Sequence, residues 1–182
     1  MMAAEKGLEE TRRAILDAAL ACFEREGFDA LGIRTIAAKA EVSPALVIRY
    51  FGSKAELFRC VVEAAFEGFD TSVPLTPKIV PALVQYLMGG GQGARASRIL
   101  VRSAASEDAA HVLRGFVNER FLDPAVATDA RGDAPLRFGM LVALLTGFGV
   151  VGDVLKLGAL NDADPDAARA LLEKLILACI IR

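Results

Sequence analysis

The stretch that decides the fold is residues 43–54, "SPALVIRYFGSK". The Ser43 oxygen can accept a hydrogen bond from an otherwise unpaired N–H in the first turn of a helix, so Ser43 reads as a cap. Pro44 follows at the first helical position, where a missing N–H costs nothing. The helix then runs to Phe51, and Ser53 caps a longer one beyond Gly52. Upstream, a second short helix is expected over 33–40, with the small Ala37 allowing a close crossing and Ile36, Val42 and Val47 pointing into a shared core. Two short helices joined by a tight turn form a helix-turn-helix.

The outer face of residues 44–51 carries the chemistry. Val47 and Phe51 are four apart and share the buried side. Arg49 and Tyr50 fall on other faces, with Ala45 and Leu46 one turn before them. Arginine can pair bidentately with guanine in the DNA major groove, and alanine and leucine can touch a thymine methyl. Lys54, at a helix start with free N–H groups, suits a phosphate. Charge points the same way locally: residues 31–59 hold five basic and two acidic side chains, a net of +3, whereas the whole chain has a net charge of −2. The overall balance by itself predicts neither a nucleic-acid nor a membrane partner. A structural hairpin with a solvated charged face is the competing reading.

Outward from this motif the chain reads as helix throughout. A first helix from Thr11 carries Ile15, Ala19, Cys22 and Phe23 at helical spacing and stops at Gly27. The helix after Ser53 is expected to reach about residue 69, and "TSVPLTPK" breaks it. Further helices are expected over 80–88, 95–103, 108–121, 135–157 and 165–181, with "GGGQG" at 89–93 as a loop. The fold class is therefore all-α: a three-helix N-terminal domain over 9–69, with its motif at 32–51, and a helical bundle over 70–182. Apolar residues make up 54% of the 182, enough for a sizeable core and some apolar surface.

Other signals argue against chemistry. Cys22, Cys60 and Cys179 match no metal spacing, and His111 is the sole histidine, so no metal site and no cofactor are expected. No nucleophile or general-base constellation is evident, which argues against an enzyme. "GFGVVG" at 147–152 has the glycine pattern of a dinucleotide loop, but its surroundings read as helix rather than a strand and turn. An odd cysteine count without a secretory segment fits a soluble cytoplasmic protein. The longest uncharged run, 138–152, is shorter than the roughly 20 residues a membrane span needs.

The run "TRRAILDAALACFEREGFDALGIRTIAAKAEVSPALVIRYFGSKAELF" also resembles the N-terminal domain of the tetracycline repressor family. The shared pattern is a helix ending in Gly-Phe, then Ile36-Ala37, Ala40, Val42-Ser43, Tyr50-Phe51 and Ser53-Lys54 with Leu57. The resemblance implies a dimeric transcriptional regulator, most often a repressor, released from double-stranded palindromic operator DNA by a small molecule. It places Arg34 and Thr35 on DNA from the helix before the turn. Pro44, Ala45, Leu46, Arg49 and Tyr50 would lie along the major groove, with Lys54 on a phosphate and Ser43 a further DNA-binding candidate. Gly32, Glu41, Ala45 and Ile48 depart from the family's common residues, and Gly32 and Ile48 each lack a hydroxyl that would reach a phosphate.

In the C-terminal half two apolar stripes are broad enough to cover both a core and a second subunit. The resemblance implies a four-helix dimer interface there, for which Leu141, Leu145, Leu171, Leu175 and Cys179 are the candidates. Burial of both faces within one chain is the alternative. The resemblance also implies an effector cavity among the middle helices, with Phe66, Tyr86, Phe116 and Phe148 as candidate lining residues and an apolar or amphipathic effector. As a rival reading the chain is a small-molecule-binding helical protein, or an enzyme, with a vestigial helix-turn-helix.

Overall fold

A computed structural model describes residues 2–67, 76–128 and 132–180, and all regular structure among them is helical. The helices are α1 (Met2–Glu26), α2 (Ile33–Lys39), α3 (Pro44–Phe51), α4 (Lys54–Ala65), α5 (Val80–Met88), α6 (Gln92–Ser103), α7 (Glu107–Val117), α8 (Asp123–Thr128), α9 (Ala134–Gly149), α10 (Gly158–Asn161) and α11 (Pro165–Ile180). The backbone forms two compact units. One comprises residues 1–65 with 99–114, the other 66–98 with 115–182.

In the first unit α1 packs on α4 and on α2, and α2 packs on α3. The buried face of α1 is Ile15, Ala18, Ala19, Cys22 and Phe23, the spacing of one helical stripe. Phe23, Phe28 and Phe58 meet as a ring cluster, with centroids 5.0–5.9 Å apart. Gly27 turns the chain out of α1 with φ +77, and a Cβ there would lie 2.2 Å from the Arg102 carbonyl oxygen. Two separate constraints, backbone hand and space, therefore require glycine.

In the second unit α5, α9 and α11 bury Leu83, Val84, Leu87, Leu141, Leu172, Ile176 and Ile180 together. At Gly93 a Cβ would meet the Tyr86 carbonyl oxygen at 2.2 Å, so glycine lets α6 start hard against the end of α5. The helix consequently begins at Gln92, inside the stretch expected as loop.

Several boundaries differ from expectation. α1 begins at Met2 rather than Thr11, because residues 2–10 contain good helix formers and no stop stronger than Gly7. The fourth helix, expected to reach about residue 69, ends at Ala65, and residues 66 and 67 form a turn. The expected helix over 108–121 starts at Glu107 and widens into a π-helical turn, Asn118–Leu122, before α8. The helix expected over 135–157 ends as α9 at Gly149, continues through a second π-helical turn, Val150–Val154, and is followed by α10. Gly147 to Gly152 thus lie in helical backbone, with no strand-to-helix phosphate loop. The helical span Ala134–Val154 is 21 residues long with mean hydropathy 1.7, long and apolar enough by length and composition to cross a membrane. The helix is longer than the uncharged run 138–152 because it continues through Arg137 and Asp153. A single such helix is weak evidence for a span, since an apolar helix covered by other protein has the same composition.

The corner at Gly27 gives a direct test. Gly27→Ala should lower unfolding free energy by about 2 kcal/mol or more, from the positive φ and the carbonyl clash. Gly32→Ser should be neutral or gain a few tenths of a kcal/mol, because Gly32 caps α2 in extended backbone with nothing within 4 Å of a Cβ. Denaturant melts of the two variants check both.

Candidate nucleic-acid interface

The turn between α2 and α3 is closed by two backbone bonds. The Val42 N–H donates to the Ala37 carbonyl at 3.0 Å and the Glu41 N–H to the Ala38 carbonyl at 3.3 Å. This is a Schellman arrangement, whose left-handed position usually holds glycine. Here Glu41 occupies it, with φ +56. Ser43 is extended, and its Oγ accepts from the Leu46 N–H at 3.3 Å. Val47 and Phe51 are buried and fix the rotation of α3 about its axis. The α3 chain ends at Gly52, and the Ser53 Oγ accepts from the Glu56 N–H at 3.1 Å to start α4.

That rotation leaves one face open. Pro44, Ala45, Ile48 and Arg49 are exposed, and Leu46 and Tyr50 are half-buried. Arg34 and Thr35 are exposed on the first turn of α2. Lys54 opens α4 with its Nζ 4.1 Å from the centre of the Phe28 ring, a cation–π contact that aims the ammonium. Arg12 lies over the Phe51 ring at 5.4 Å. Arg59 is bound up differently. It donates to Glu56 at 3.2 Å and to Glu63 at 2.6 Å, which raises its pKa and keeps the guanidinium charged beside two carboxylates. Burial, more than any neighbouring charge, pushes the Cys60 thiol up.

The other candidate residues, His111 of the first unit excepted, lie in the second unit. Phe66, Tyr86, Phe116 and Phe121 form a ring cluster: Phe66 is 6.4 Å from Tyr86, 5.2 Å from Phe116 and 6.0 Å from Phe121. Phe121, an aromatic of the middle helices that was not among the candidate lining residues, joins them through the π-helical turn that carries it. Phe148 packs against the core of α5, α9 and α11. Burial pushes the Tyr86 phenol up to about 12. Asp153, on the second wide turn, is raised by burial against the opposing pull of Arg98. His111 is exposed on α7. Of the residues proposed for a subunit contact, Leu141 is 3% exposed and belongs to the unit's own core, whereas Leu171 and Leu175 are 59% and 44% exposed. Leu145 and Cys179 pack partly buried at the core's edge. Leu136 and Met140, which the sequence reading did not single out, are open on α9. An α9 that is apolar all round gave no sequence signal to tell its two faces apart.

Fold and surface together define an all-helical protein with an exposed helix-turn-helix. The model for bacterial regulatory proteins of the tetR family matches residues 15–61, and that for the tetracyclin repressor-like C-terminal domain matches 78–180. The chain belongs to the tetR family. It is similar to the transcriptional repressor SCO4008 of Streptomyces coelicolor, 35% identical over 80 residues, which are 44% of this chain and 42% of that one. It is also similar to the repressor KstR of Rhodococcus jostii, 36% identical over 63 residues, 35% of this chain and 30% of that one. The chain thus matches less than half the length of these curated relatives. Among solved structures, NalD of Pseudomonas aeruginosa, the secondary repressor of the MexAB-OprM multidrug efflux pump, superposes with a TM-score of 0.69 at 25% identity, covering 97% of this chain and 98% of that one.

Tyr86 makes the burial of the ring cluster measurable. Its folded pKa lies above the ordinary phenol value of 10.0, so the folded state resists ionisation that the unfolded state accepts. Stability should therefore be intact below pH 10 and fall as pH rises from about 10 to 12. Ultraviolet titration should show a late-ionising phenol that Tyr86→Phe removes.

Proposed function

We propose that this chain is a ligand-responsive transcriptional regulator, a repressor that binds double-stranded palindromic operator DNA as a homodimer in the cytoplasm and lets go when a small apolar or amphipathic molecule binds. The observation that carries the reading is α3: capped at Ser43, locked by Val47 and Phe51, with Pro44, Ala45 and Arg49 exposed and Leu46 and Tyr50 half-buried. A rigid short helix with an exposed arginine fits a major groove, and two copies would address grooves about 34–36 Å apart. Arg34, Thr35, Ser43 and Lys54 would set its register on the backbone.

For assembly, the exposed Leu171 and Leu175 of α11 with Leu136 and Met140 of α9 support a surface covered by a second copy. Leu145 and Cys179 flank it, and Leu141 supports it from beneath. For the effector, the cluster of Phe66, Tyr86 and Phe116 supports an apolar cavity, with Phe148 a wall only where that cavity reaches the α5–α9–α11 core. Similarity to NalD, named as a repressor of a multidrug efflux pump, favours such an effector. A ligand that prefers one spacing of the two α3 helices lowers DNA affinity by its differential affinity for the two states. In this reading the protein has no catalytic role, and residues 9–69 and 70–182 divide DNA binding from regulation.

Arg49→Ala should cost about 1–3 kcal/mol of operator binding and relax specificity at one base position per half-site. Lys54→Ala should weaken all sequences alike and reduce the salt slope by about 1 per lost phosphate contact. Gel shifts with duplex from upstream of the protein's own gene, across a salt series, separate these outcomes. Loss of all sequence preference in the wild type would exclude the reading.

Replacing Leu171 and Leu175 together by Glu should give monomers in sedimentation and lose operator binding, because a single half-site binds weakly. A wild type that is monomeric yet binds tightly would rule out the dimer.

A further inference from the structure

We propose that Ile48 is a specificity-determining residue that reads a thymine methyl. The inference rests on the DNA-binding reading of α3. Ile48 is the α3 member of the exposed large hydrophobics, 44% open, on the helix whose rotation Val47 and Phe51 fix. Four residues after Pro44, it continues a ridge beside the Ala45–Arg49 ridge, so a groove that receives Arg49 also receives Ile48. An isoleucine has no donor for a phosphate oxygen and cannot serve as a backbone clamp. On the edges of base pairs in the major groove, the one apolar group is the C5-methyl of thymine. Its branched side chain is held close to one rotamer in a helix, which presents a fixed apolar surface and loses little freedom on contact. The residue that forfeits a hydroxyl contact to the backbone thereby gains the chemistry of a base reader.

The test uses the full-length protein and a duplex enriched by it from a random library. Each thymidine is replaced in turn by deoxyuridine, which removes the methyl alone. At one position per half-site the wild type should lose roughly fourfold in affinity, the worth of one buried methyl. Ile48→Ala should bind the thymidine and deoxyuridine duplexes equally at that position. If Ile48→Ala melts early, Ile48→Val takes its place, with a partial loss of sensitivity expected. A site with no methyl-sensitive thymine overturns the proposal, as does a sensitivity that persists in Ile48→Ala and so belongs to Ala45 or Leu46. Failure of the library to enrich any duplex overturns the DNA-binding reading itself, an outcome distinct from an enriched site indifferent to its methyls.

Discussion

The meeting of Phe23, Phe28 and Phe58 is the contact on which the N-terminal unit depends. These rings come from the end of α1, the corner after Gly27 and the first turns of α4, so they fix the angle between the two helices that flank α2 and α3. Aromatic pairs of this kind contribute about 0.5–1.5 kcal/mol each beyond the area they bury. Phe28 has a second duty. Its face is covered by the Lys54 ammonium, so the ring that joins α1 to α4 also aims the cation at the start of α4. Core and charged surface are one construction at this point.

On this platform α3 has little freedom. Its N-terminus is held by Ser43, its inner face by Val47 and Phe51, and its exit by Gly52 and the Ser53 cap. The positive φ of Glu41 is tolerated because the two bonds of the Schellman turn and the packing on either side determine it. Strain at a non-glycine residue is held by its surroundings, and the position of the outward-facing arginine follows from that arrangement.

The sequence was most legible where local chemistry dictates local structure. Ser43-Pro44, Gly27 and Ser53 are end signals that act over three or four residues, and the helix ends they mark came out as read. It was least legible where packing decides. The π-helical turns at Asn118–Leu122 and Val150–Val154 carry no residue pattern of their own. Phe121 joins the ring cluster through the first of them. Along α9 an apolar residue stands at almost every position, so periodicity could not tell the buried Leu141 from the open Leu136 and Met140. Family likeness supplied the regulatory reading of that half, where no residue motif did.

The N-terminal unit is not continuous in the chain, since residues 99–114 belong to it along with 1–65. During synthesis this has a consequence. A ribosome adding about 5–20 residues per second needs about 2–10 s to make residues 66–114 after α4 has emerged. Throughout that interval Gly27 lacks the Arg102 backbone that closes over it, and the helix-turn-helix waits with one wall missing. Nascent chains halted before residue 99 should therefore carry a looser N-terminal unit than those released beyond 114, which makes the order of translation part of how this surface is built.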